Sequence, residues 1–181
     1  ELLTIKALKK IKESDIIAIP TKDKEKCIAY SIVLQVYPEL KYKDCIQLDF
    51  PMTKDIQILE RCNRYNTEQV AAELEANRTV AFLTLGDPTI YSTYSSIHRS
   101  IREKGYEVEI VNGIPSFLAI AAKLGISLAD KDEEIHIVPT TYGLTDTVKM
   151  SGTKILMKAG KKLKEIKVSE IDARIEDREG Y

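Results

Sequence analysis

Nowhere do the 181 residues hold an apolar run near the roughly 18 needed to cross a bilayer, and the first residues carry no signal-peptide pattern. A membrane role is therefore not expected, and the cytoplasm is the expected location. A basic excess is missing too. Twenty-seven Lys and Arg against 28 Asp and Glu leave a net charge of -1, which argues against general nucleic-acid binding. Cysteine and histidine are scarce. Cys27, Cys45 and Cys62 are well separated with no C-x-x-C pair, and His98 and His136 stand alone. Neither a zinc site nor a disulfide framework is expected, but reduced cysteines packed as small hydrophobes. His98, among charged residues of a helical segment, reads as a surface side chain, and His136, inside a short strand pattern, as structural. No G-x-G-x-x-G follows an apolar run, which removes the usual mark of a nicotinamide or flavin enzyme. What remains, 44% hydrophobic and 30% charged, suits a globular chain with a real core.

The chain opens at Glu1 without a methionine and enters helical periodicity almost at once, so an upstream segment is expected. Thr4 can cap a helix carrying Ile5, Leu8 and Ile11 on one stripe. Asp15 to Ile19 reads as a short buried strand, Cys27 to Val36 as a helix, and Cys45 to Phe50, which alternates, as a half-exposed or edge strand. A polar, partly helical connection follows from Met52 to Arg64. Asn66 with Gln69 resembles a capping box opening a helix with Val70, Ala71 and Leu74 on its buried stripe.

Val80 to Leu85 follows, uncharged and rich in β-branched and aromatic residues, the pattern of a strand buried on both faces. It breaks at Gly86-Asp87-Pro88. Glycine permits a turn or a close ligand approach, Asp87 can cap a following helix, and Pro88 suits its first position. Ligands of open α/β sheets bind outside the carboxyl ends of the strands, so this junction is a candidate ligand edge. By itself it is equally an ordinary strand-to-helix turn. Ile90, Tyr94, Ile97 and Ile101 continue at helical spacing to Gly105, and Glu107 to Val111 reads as another strand. A small apolar helix, Leu118 to Leu124, and strands at Glu134 to Pro139 and Thr153 to Lys158 follow, with a charged tail from Lys161. Alternating helices and strands imply an α/β fold with parallel sheets, most economically divided near Asn112 into domains 1–112 and 113–181, the second thin.

Four separated pieces resemble one family, the tetrapyrrole methylases, the class III S-adenosylmethionine-dependent methyltransferases. Glu1 to Ala7 resembles the segment after their Gly-Pro-Gly-Asp-Pro loop, and Leu85-Gly86-Asp87-Pro88 their second Gly-Asp-Pro motif. Val111 to Phe117 is similar to their Val-Pro-Gly-(Ile/Val)-(Thr/Ser)-Ser segment, and Ile155 to Lys158 to their late strand ending in methionine. Within the family, Tyr91-Ser92-Thr93-Tyr94 looks most like the precorrin-2 and cobalt-factor-II C-20 methyltransferases of cobalamin synthesis.

The resemblance implies two αβα domains with a cleft between them, S-adenosyl-L-methionine bound there and left as S-adenosyl-L-homocysteine, a tetrapyrrole substrate and a homodimer. It implies donor contacts at Leu85, Gly86, Asp87, Ile90, Pro115, Ser116 and Met157, catalytic roles for Asp87 and Tyr91, and Thr93 near the substrate, with no metal. Lys and Arg at the rim would meet the substrate's carboxylates. Three departures stand out. The first Gly-rich loop and its strand are absent, Asn112 replaces the usual proline, and Pro115 replaces a small hydroxyl residue. Residues are expected to be missing at the start, near Tyr142 to Leu144 and in the tail. The competing readings are the same fold acting on uroporphyrinogen III, precorrin-4, ribosomal RNA or a diphthamide precursor, and an α/β nucleotide-binding or scaffold module without catalysis.

Overall fold

The computed structural model describes residues 2–139 and 150–158. The expected losses at the start, at Tyr142 to Leu144 and in the tail lie outside these residues. The chain divides into two compact units, Glu1–Ala119 and Ile120–Tyr181, each described by itself.

The first unit is built on β1 (Ile16–Ile19), whose four residues are all buried. Alternate side chains serve opposite faces. Ile17 and Ile19 pack with Ile11 of α1 (Ile5–Glu13) and with Ala29, Tyr30 and Val33 of α2 (Ile28–Val36), while Ala18 packs with Val70, Ala71, Ile97 and Ile101 on the other face. A strand so covered needs apolar residues at every position, which is why it reads as a continuous run. Both neighbours are parallel to it. β2 (Asp44–Gln47) pairs Ile17 with Cys45, and β3 (Val80–Phe82) pairs Ile17 with Ala81. The order is β2-β1-β3. Asp15 fixes the register at the amino end. Its Oδ2 accepts from Thr79 N at 2.8 Å and Thr79 Oγ1 at 2.7 Å, and these bonds hold its carboxyl below the ordinary value.

Four expectations are overturned here. The strand buried on both faces is β1. β3 is three residues long, half-buried and at the sheet edge among the described strands, since a strand with one ladder partner has one edge uncovered. Glu107 to Val111 belongs to neither sheet, because no described strand lies in hydrogen-bonding register with it, and its Glu109 pairs instead with Lys6 at 2.8 Å and Lys10 at 2.7 Å on α1. The segment from Ile56 is one 20-residue helix, α3 (Ile56–Glu75), capped by Asp55, whose Oδ1 accepts from Gln57 N and Ile58 N. No Gly or Pro interrupts it, so Asn66 is interior and opens nothing. Its fully buried amide reaches the backbone leaving β2. Nδ2 donates to Asp49 O at 2.7 Å, and Asp49 N donates to Oδ1 at 3.2 Å. Finally, α4 (Tyr94–Glu103) starts six residues beyond Pro88, because Tyr91 takes a φ of +48°, which no right-handed helix admits.

α5 (Ser116–Leu124) spans the division between the units. In the second unit β4 (Ile135–Pro139) and β5 (Thr153–Met157) pair in parallel, Pro139 opposite Met157. No described helix is long and apolar enough to cross a membrane. The three cysteines are free.

Candidate functional site

Past β3 the chain takes one further sheet bond, Leu83 N to Ala18 O at 2.9 Å, and then leaves the carboxyl edge through Leu85 and Gly86. Gly86 has a φ of +69°, a conformation that a side chain would strain, and faces the backbone of Ile114, Pro115 and Ser116. The two motifs that sequence alone placed 25 residues and more apart therefore meet. Opposite Gly86 stands Gly113, where a methyl group would overlap the Gly86 carbonyl oxygen. Two glycines thus bring backbone against backbone.

Asp87 joins them. It is 8% exposed, and both carboxylate oxygens are occupied. Oδ1 accepts from Thr89 N at 2.8 Å and Thr89 Oγ1 at 2.5 Å, and Oδ2 accepts from Asn112 Nδ2 and Gly113 N, both at 3.1 Å. Burial pushes its carboxyl up, but these bonds outweigh burial and hold it below the ordinary value, so Asp87 is an anion near neutral pH. Its lone pairs are spent within the protein, which leaves it the role of a clasp. Ile90 N donates to Asp87 O at 3.2 Å to close a turn, so Asp87 organises the turn where the sequence suggested a helix cap. The loop is pinned again where it returns. Ser92 Oγ lies 3.2 Å from Thr84 Oγ1 and accepts from Tyr94 N at 3.2 Å.

Of the residues singled out by sequence, Leu85, Gly86, Asp87, Pro115 and Ser116 come together in the first unit, with Ile90 in the turn that Asp87 closes. Tyr91 follows, 43% exposed. Met157 belongs to the second unit, at the end of β5. Sequence reasoning missed Thr89, Ser92 and Gly113, and noted Asn112 only as a departure. The Asn-Gly pair at 112–113 was the available signal.

A cavity of about 960 Å³ lies in the first unit. Leu85, Gly86, Pro88, Asn112, Gly113 and Ile114 line one part of it, and Val80 to Leu83, Ile11, Val33, Ile97 and Ile101 line the rest. That larger part is bounded mainly by core side chains beside the edge of β3 left unpaired among the described strands, and Lys10, Glu13, Glu107 and Glu109 also line the cavity. The carboxyl-edge rim combines bare backbone, apolar surface and a held anion, and is the candidate site. His98 is not the surface residue expected from its charged neighbours. It is half-buried, lines the cavity and sits with Nδ1 3.3 Å from the Tyr94 hydroxyl.

The family model of the tetrapyrrole (corrin/porphyrin) methylases matches residues 1–179. The chain belongs to this family. It is 41% identical over 159 residues to the probable cobalt-precorrin-2 C(20)-methyltransferase of Methanocaldococcus jannaschii, covering 87% of this chain and 66% of that protein's length. Among solved structures, a cobalt precorrin-4 methyltransferase of cobalamin biosynthesis superposes with a TM-score of 0.68 at 19% identity, over 95% of this chain and 69% of the other. A uroporphyrin-III C-methyltransferase of Thermus thermophilus, complexed with S-adenosylhomocysteine, gives 0.60 at 19% identity, over 87% and 64%. These two establish the α/β fold.

Proposed function

We propose that this methylase-family chain is an S-adenosylmethionine-dependent C-methyltransferase of cobalamin biosynthesis. It methylates C-20 of a tetrapyrrole, precorrin-2 or cobalt-factor II, and works as a homodimer. The observation that carries the reading is the 41% identity to a relative named for that reaction.

The rim at the carboxyl edge fits the donor. Gly86 presents backbone without a side chain, Leu85 is 52% exposed and Ile114 37% exposed as apolar surface for an adenosine, and Asp87 places a negative charge within the loop. When bound, the donor supplies a sulfonium methyl group. Transfer to a carbon nucleophile requires carbon, methyl and sulfur in line, and much of the barrier is removed by positioning. The residues assigned to the donor are Leu85, Gly86, Ile90, Pro115, Ser116 and Met157. Asp87 holds Gly86 in place and does not abstract a proton, since both oxygens are engaged. Tyr91, just beyond the turn, is assigned to the substrate side.

Calorimetry with S-adenosylhomocysteine, followed by turnover of precorrin-2 and cobalt-factor II, tests this. Binding and methylation of either is expected. Absence of binding by the full-length protein removes the methyltransferase reading, whereas binding without turnover keeps the donor site and redirects the substrate to another member of the family's range.

A further inference from the structure

We infer that Asn112 is a positioning residue for the donor, a role that rests on the methyltransferase reading above. Where the resembling family segment carries proline, this chain carries asparagine, whose side-chain amide can donate a bond that proline cannot.

Asn112 stands where three pieces of the first unit converge. Its Nδ2 donates to Asp87 Oδ2 at 3.1 Å, and its carbonyl accepts from Thr4 Oγ1 at 3.5 Å. Thr4 in turn caps α1 by accepting from Ala7 N at 3.2 Å. The next residue, Gly113, gives Asp87 Oδ2 its other bond and packs on the Gly86 carbonyl. Asn112 therefore links the start of α1 to the loop that carries Gly86, and supplies one of the two donors that hold Asp87 against the 112–116 turn. A charge-assisted bond of this kind is strong enough to select one loop position. Because it sits at the exposed rim rather than in the core, its removal should widen the gap between Gly86 and Pro115 while leaving the sheet intact.

The test uses Asn112→Ala and Asn112→Asp in the full chain, with S-adenosylhomocysteine as the probe. Asn112→Ala should bind it about tenfold more weakly, the worth of one charge-assisted bond, while the thermal midpoint falls by only about 3–6 °C and the protein stays folded at the assay temperature. Asn112→Asp sets a second carboxylate beside Asp87, and two carboxylates sharing a site cannot both ionise freely. Its affinity should therefore rise as pH falls from 8 toward 5.5, where wild type stays flat. Unchanged affinity in Asn112→Ala, or a flat pH profile in Asn112→Asp, overturns the inference, as does a loss of affinity that merely follows a loss of stability. If wild type itself binds no S-adenosylhomocysteine, the methyltransferase reading and the donor role fall together. Amide exchange at Gly86, Asp87 and Thr89 then judges the loop alone. Faster exchange in Asn112→Ala keeps the positioning of the loop, and equal exchange removes it.

Discussion

Two carboxamide clasps tie distant backbone together in the first unit, and they are built for different purposes. Asn66 is fully buried and answers both the N–H and the C=O of Asp49, so a neutral side chain takes the place of a strand neighbour just past β2. Asn112 is exposed, gives one bond, and gives it to an anion. The buried clasp is replaceable only at a cost to the whole unit, because its removal leaves two half-buried backbone groups of Asp49 without their protein partner. The rim clasp governs the position of one loop. Architecture is thus secured by a fully satisfied buried amide, and the candidate ligand edge by a shorter-ranged network at the surface.

The largest separation of the two is expected from Asn66→Ala, which should lower the unfolding free energy by about 3 kcal/mol through two unsatisfied groups. In urea denaturation the midpoint should fall with little change in slope, and donor affinity at low temperature should persist. Retained stability would dissolve the contrast. Gly113→Ala should act in the opposite sense. The added methyl displaces the Gly86 carbonyl, and a displacement of about 1 Å at a reacting site costs on the order of 10²-fold in turnover. Steady-state kinetics beside a thermal melt would check it. Asp87→Ala comes next, with donor affinity lowered more than stability, and equal loss of both would make the Gly-Asp-Pro turn purely architectural.

The smallest effect is electrostatic. The bonds from Lys10 and Lys6 hold the Glu109 carboxyl down to about 2, and Asp87 also lies below its ordinary value. A carboxylate whose folded pKa is depressed contributes stability above its unfolded pKa and loses it as pH falls through the folded one. Stability should therefore be level above about pH 5 and decline from about pH 4 toward 2. Glu109→Gln should flatten only a minor part of that decline, since exposed ion pairs are screened. Urea midpoints at pH 6 and pH 3 would resolve it.

The legible parts of the chain were those decided locally. Four consecutive aliphatic residues mark β1, Thr4 caps α1 as its position suggests, and the Gly-Asp-Pro turn stands at a strand's carboxyl end. What was misread depended on partners elsewhere. Asn66 has the residue type and spacing of a helix cap, but its buried amide is worth more against Asp49, 17 residues earlier. Val80 to Leu85 and Glu107 to Val111 both carry strand composition, yet a strand exists only where a neighbour completes its ladder, which β1 does for Val80 to Phe82 and no described strand does for Glu107 to Val111. Asp87 was visible as a functional candidate. That its charge is consumed by Thr89, Asn112 and Gly113 needed the fold.

The pairing of Asp15 with Thr79 joins residues 64 apart, and every described ladder is parallel. Among the described strands no hairpin can therefore seed the first unit's sheet during synthesis. α2, β2 and α3 must all be made before β3 reaches β1, and the Ala18 face of β1 stays open to other chains until α3 and α4 cover it. Loops of this length close late and slowly. Refolding should be governed by protein concentration and temperature, with yields best in dilute, cool conditions.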